Sequence, residues 1–128
     1  MSKKAVIITD GTESINSLAE PIKNALTGFG VKISPADKFN GTDLLSADIF
    51  FIGCEKPSPS SFAYLEEMLS HINLASRKCG IFSVNQKALK YLSGILKDCE
   101  AALGETMLSS DGGYQQSDMD KWIKGLIK

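Results

Sequence analysis

The chain has 128 residues, 43% of them hydrophobic and 23% charged, with a formal net charge of −1. That length suits one domain with a single sheet covered by helices, not two independent cores. The charge balance offers no basic excess for a nucleic-acid backbone and no acidic run of the kind that marks a disordered tail. No stretch reaches the ~20 apolar residues that a membrane helix needs. The apolar run after Met1-Ser2-Lys3-Lys4 is too short for a signal peptide's core. Cys54, Cys79 and Cys99 are odd in number and widely spaced, which fits neither a disulfide framework nor a zinc site. They read as free thiols of a cytoplasmic protein.

Strand and helix signals alternate along the chain. Ala5–Thr9 is a continuous, β-branched apolar run and reads as a buried parallel strand. After the polar stretch Asp10–Ser14, the residues Leu18, Ile22, Ala25, Leu26 and Phe29 recur at helical spacing, and Gly28 and Gly30 end that helix. Val31–Ser34 alternates as an edge strand does, and Pro35 stops it. Asn40–Ala47 holds only a short helical turn. Ile49–Gly53 is a second continuous apolar run, followed by a Pro- and Ser-rich loop, Cys54–Ser61. Pro59 sits near the start of a helix with Phe62, Leu65, Leu69 and Ile72 on one stripe.

Cys79–Val84 is the fourth strand. Asn85 and Gln86 lead into a helix with Leu89, Leu92, Leu96, Cys99 and Leu103 inward, closed by Gly104. Thr106–Leu108 reads as a short fifth strand, and Ser109–Gln116 as a loop. Ser117 is placed to cap a last helix that carries Asp118 and Asp120 in its first turn and packs through Trp122, Ile123 and Leu126. Five β-α units predict a three-layer α/β/α sandwich with a five-stranded parallel sheet. The apolar ranking of the strands predicts the order 2-1-3-4-5, with the second and fifth at the edges.

Three stretches carry a resemblance to the flavodoxin-like family, and to short-chain flavodoxins in particular. Ala19-Glu20-Pro21-Ile22 resembles that family's "AE-x-I" in the first helix. Ile49–Gly53 with Cys54-Glu55-Lys56-Pro57-Ser58 resembles its strand ending in "G-S/C-P". Gly80-Ile81-Phe82-Ser83 resembles the strand before its third loop. The resemblance spans nearly the whole chain as one flavodoxin-like domain, residues 1–128. It implies FMN at the carboxyl ends of the strands, electron transfer to a redox protein partner, and no catalytic or metal-binding residues. Position by position, the cofactor-binding residues it implies are Asp10, Gly11, Thr12, Glu13 and Ser14 in the first loop. Cys54, Pro57 and Ser58 follow in the second, Ser83 and Asn85 in the third, and Tyr114 within Asp111–Tyr114.

The first loop departs from the family's S/T-x-T-G-x-T. Thr12 is kept and Ser14 supplies a hydroxyl, but Glu13 stands in place of Gly and Ile15 in place of the last Thr. A carboxylate ~4 Å from a phosphate charge costs on the order of 4 kcal/mol per charge near a surface, more than one or two hydroxyl hydrogen bonds return. Asp10 adds a second negative charge. The alternative use of such carboxylates is to occupy the helix-start anion site themselves. The loops are also short of aromatic rings for a flavin: Phe62 reads as core, Tyr64 and Tyr91 fall on helices, and Tyr114 is the nearest candidate.

Other chemistry finds little support. His71, the only histidine, lies mid-helix with no nucleophile set around it. Cys54 would lie at the ligand end of the sheet, with Glu55 acting to raise its pKa. A receiver domain needs an Asp ending the third strand, where this chain has Gly53-Cys54, and Asp48 lies at the wrong end. A Rossmann loop needs more glycines than Gly11. Two readings follow: an FMN-binding electron carrier, or a flavin-free flavodoxin-fold domain that binds a partner or small ligand at the same strand ends.

Overall fold

A computed structural model describes residues 3–75, 77–97, 99, 101–104, 107–108 and 116–127. The parallel sheet is built from β1 (Lys3–Thr9), β2 (Phe29–Pro35), β3 (Ile49–Gly53) and β4 (Lys78–Ser83), with two short strands, β5 (Ala102–Leu103) and β6 (Met107–Leu108), on the far side of β4. The spatial order is β2-β1-β3-β4-β5, with β6 also paired to β4, so the expected order 2-1-3-4-5 is observed. β1 lies between β2 and β3, pairing Ile7 with Ile33 on one side and with Phe51 on the other.

The fully buried runs of β1 and β3 follow from helices on both faces. Val6, Ile8, Phe50 and Ile52 point into one core, and Ala5, Ile7, Ile49 and Phe51 into the other. The helices are α1 (Glu13–Ala25), α2 (Gly41–Ser46), α3 (Ala63–Leu69, entered through a 3-10 turn at Ser60–Phe62), α4 (Gln86–Ile95) and α5 (Gln116–Ile127). The first core is roofed by Leu44 of α2, Phe62, Leu65 and Leu69 at α3, and Leu89 and Leu92 of α4. The second is roofed by Ile15, Leu18 and Ile22 of α1 and by Met119, Trp122 and Leu126 of α5. The Trp122 ring meets the Phe51 ring edge-on at 5.4 Å between centroids, a favourable aromatic geometry. Among the described residues no helix is long and apolar enough to cross a membrane.

Several boundaries differ from the sequence reading. The first helix stops at Ala25, and the chain reverses through Gly28 at φ +87°, a left-handed turn that glycine adopts without a Cβ clash. Phe29 and Gly30 therefore belong to β2, where they pair with Lys3 and Lys4, and Pro35 is that strand's last residue, paired with Thr9. α4 ends at Ile95 with Leu96 as its cap, so Cys99 is buried beyond the helix and Leu103 pairs with Cys79 in β5 instead of extending the helical stripe. The fifth strand position is thus split. Three residues lie between Leu103 and Met107 but only two between their partners Cys79 and Phe82, so one residue is inserted between the two pairings. Ser117 falls inside α5, which starts at Gln116.

β2 forms an open edge with alternating exposure, as predicted. Its exposed Lys32 ammonium is held 2.7 Å from the Asp43 carboxylate of α2. Gly53, the last residue of β3, has no room for a side chain, because the Phe82 ring lies where a Cβ would project.

Candidate functional site

The carboxyl ends of β1, β3 and β4 bring three loops together. The first runs from Asp10 into α1, the second from Cys54 to the 3-10 turn, and the third from Val84 into α4. In doubly wound sheets the crevice lies here, where the chain leaves β1 and β3 on opposite faces.

The first loop turns at Gly11, whose φ of +84° requires glycine's freedom. The turn directs the Asp10 carboxylate back over its own loop. One oxygen, Oδ1, accepts from the Thr12 N–H at 3.0 Å and from the Thr12 hydroxyl at 2.6 Å. The other, Oδ2, accepts from the backbone N–H of Glu55 at 2.7 Å, across from the second loop. The reverse link is made by Ser14, whose hydroxyl donates to Glu55 Oε2 at 2.5 Å. Two carboxylates therefore sit at the positive end of α1, bound by donors of the first and second loops. Thr12 occupies the N-cap position of α1 in extended backbone, yet its hydroxyl serves Asp10 and not the helix.

The implied residues thus separate into groups. Asp10, Gly11, Thr12 and Ser14 come together in one network, joined by Glu55. Glu13 is exposed on the first turn of α1, outside it, and Ile15 is fully buried in the core. Asp10 and Glu55 bond to Thr12 and Ser14 beside the helix start, whereas Glu13 stands in the first turn without joining them. Pro57 and Ser58 are exposed at the tip of the second loop, Ser58 with φ +51°. Ser83 and Asn85 serve the third loop itself. The buried Ser83 hydroxyl donates to the Cys54 carbonyl at 2.5 Å and accepts from the Asn85 N–H at 3.0 Å. Asn85 caps α4, its Oδ1 accepting from the Lys87 N–H at 2.9 Å. Asp111 and Tyr114 lie outside the described residues.

Cys54 does not face the crevice. It is fully buried in the core beneath α3 and α4. Burial, then the nearby Asp10 charge, push its thiol up to about 12. The charge that acts on it is Asp10, where the sequence pointed to Glu55. A protonated, enclosed thiol is a poor nucleophile. His71, expected mid-helix, is exposed two residues beyond α3, which ends at Leu69 with Ser70 as its cap. Tyr64 is half-exposed and lies against Phe39, while Tyr91 donates to Glu66 and packs near Phe62. Neither tyrosine is part of the three loops. No group of His, Cys, Asp and Glu suited to a metal ion occurs among the described residues.

Glu55 is the participant that sequence reasoning left out. Its signal was present: an acidic residue directly after the central strand, at the end of the sheet where the first loop presents hydroxyls. A cleft of about 520 Å³ opens on the outer side of the first loop, lined by Thr9, Gly11, Asn16, Glu20, Ile33 and Pro35. Among the described residues its one ionisable wall is another carboxylate, Glu20.

FMN is the group that the resemblance implies at these strand ends. A phosphate at the start of α1 would use the Thr12 N–H, the Thr12 and Ser14 hydroxyls and neighbouring amides. Those side-chain donors, and the Glu55 amide, already serve carboxylates. A phosphate placed ~4 Å from each carboxylate would meet a repulsion on the order of 4 kcal/mol per charge pair. The described parts of the loops place no aromatic ring over the crevice. The residues as arranged do not fit FMN.

No protein-family model matches the chain, and no curated protein matches its sequence. Solved structures do match its fold. A flavodoxin of Streptococcus pneumoniae superposes with a TM-score of 0.81 at 16% identity, covering 98% of each chain. A short-chain flavodoxin associated with a non-canonical PDU bacterial microcompartment gives 0.78 at 16% identity, covering 99% of this chain and 97% of that one. A flavodoxin of Fusobacterium nucleatum, bound to flavin mononucleotide, gives 0.73 at 12% identity, covering 97% and 96%. The chain has the flavodoxin-like fold along nearly its whole length.

Proposed function

We propose that this chain is a flavodoxin-fold binding protein that works without FMN, as one cytoplasmic domain of residues 1–128, and that the strand-end face is the surface it offers to a ligand or partner. The observation that carries this reading is the Asp10 carboxylate, which accepts from both donors of Thr12 and from the amide of Glu55. A loop that satisfies its own donors with its own negative charge has little to gain from a phosphate. No catalytic residue is assigned: the hydroxyls, the amides and Asn85 all serve to hold loops and helix starts.

The second reading, an FMN-binding electron carrier with a redox protein partner, is favoured by one observation, the near full-length likeness to flavodoxins. In that case the flavin would supply the electron chemistry and the protein its environment. The two readings part on a simple measurement. Purified protein should be colourless, and should leave the fluorescence of added FMN unquenched up to millimolar concentration. A yellow preparation, or saturable quenching at micromolar FMN, overturns the flavin-free reading and supports the carrier.

A further inference from the structure

We infer that Glu55, acting with Asp10, is a built-in occupant of the α1 start that bars phosphate from it, and that this bar is a removable latch between the first and second loops. The inference rests on the flavin-free reading and assigns its cause to two side chains. The latch has two strands of contact running in opposite directions. Asp10 reaches out from the first loop to the Glu55 N–H at 2.7 Å, and Glu55 reaches back to the Ser14 hydroxyl at 2.5 Å.

Each carboxylate thereby neutralises donors that the other's loop supplies. The Ser61 hydroxyl, 3.5 Å from the Asp10 carbonyl, adds a third tie between the same segments. Glu13, the residue whose charge looks most damaging in the sequence, is exposed and outside the latch. The residue that closes the latch thus lies in the second loop, 41 residues from its partner Ser14.

The test compares the unaltered protein with Asp10→Ser/Glu55→Ala and with Glu13→Gly, using inorganic phosphate and FMN as separate probes. The double variant removes both occupants and keeps Thr12, Ser14 and every backbone donor. It should bind both probes at least about tenfold more tightly than the unaltered chain, equivalent to ~1.4 kcal/mol. Gain for inorganic phosphate alone still supports the latch and locates the remaining obstacle to FMN at the ring. Glu13→Gly should stay within about twofold of the unaltered chain, since screening at an exposed position weakens a charge effect.

A double variant that keeps the near-ultraviolet signal of Trp122 yet gains for neither probe overturns the latch. So does an equal gain from Glu13→Gly. If the unaltered chain already binds FMN tightly, both the latch and the flavin-free reading fall. If it refuses FMN and the folded double variant gains for neither FMN nor inorganic phosphate, only the latch falls. Should the double variant not fold, amide hydrogen exchange decides the matter. In the unaltered protein the Thr12 and Glu55 amides should exchange more slowly than that of exposed Lys56, and Asp10→Asn, which keeps a single acceptor oxygen, should speed at least one of them. Unchanged exchange in Asp10→Asn overturns the inference.

Discussion

α1 and α4 begin at the same end of the sheet, each directly after a central strand, and they solve the same problem in different ways. The first turn of any helix has N–H groups without intrahelical partners. α4 settles this locally: Asn85 accepts from Lys87 two residues on, and Ser83 holds Asn85 in place. α1 has a residue of the right kind at its cap, Thr12, but spends that hydroxyl on Asp10. Charge near its positive end comes from Glu13 in its own first turn and from Glu55, two residues beyond β3. One helix start is capped from within its own loop, which Ser83 anchors to the Cys54 carbonyl, and the other is tied through the Ser14 side chain to Glu55, 41 residues further along the chain. A site built from short-range bonds holds its shape whatever its surroundings do. A site closed by long-range bonds can be opened by changing either end.

The sharpest way to break the contrast is Asp10→Ala. It removes the acceptor for three donors and should destabilise the fold by about 3 kcal/mol, read from urea unfolding. A loss under about 0.5 kcal/mol would mean that the network contributes nothing the solvent does not replace. Asn85→Ala should cost about 1 kcal/mol, the ordinary value of an N-cap, with no effect on the first loop's amide exchange. A double-mutant cycle of Ser14→Ala and Glu55→Ala should return a coupling of about 0.5–1 kcal/mol, while Asn85→Ala and Glu55→Ala should add independently.

A separate effect lies at alkaline pH. The Cys54 thiol is raised from 9.0 to about 12 by burial, then by Asp10. The unfolded chain therefore releases this proton first. Its contribution to stability is complete below pH 9.0 and is lost as pH rises toward about 12. Cys54→Ala should make that alkaline decline shallower, and equal slopes with and without the thiol would refute the assignment. Cys79, raised by burial and then by Cys99, contributes a decline of the same sign that the variant leaves in place.

Much of the scaffold was legible from the chain because its strands are buried on both faces. A strand in that position must be apolar at every residue, and Ile49–Gly53 was bounded correctly on that ground alone. The order of strands followed from the same gradient of burial. Phe29 misled because its spacing continues the stripe of α1. Only the positive φ of Gly28 and the pairing of Phe29 with Lys3 remove it from the helix. Leu103 misled in the same way, since its strand exists through pairing with Cys79. The site was legible in outline: Asp10, Thr12 and Ser14 do share one network. What remained hidden was which carboxylate mattered. Glu13 is adjacent in sequence but exposed, whereas Glu55 is remote in sequence and only 2.5 Å from Ser14. Proximity of that kind is created by β1 and β3 lying side by side, and periodicity carries no trace of it.

The open side of β2 has a consequence for the behaviour of this chain in concentrated solution. An unpaired strand edge is a template on which another molecule's strand can grow. Here Gly30 and Lys32 are exposed while Ser34 is buried, and the cation of Lys32, steered by Asp43, stands on that border. It acts as a gatekeeper against edge-to-edge assembly. Replacing Lys32 with valine would leave the sheet's internal pairing intact and remove that guard. The resulting protein would fold alone but self-associate as its concentration rises.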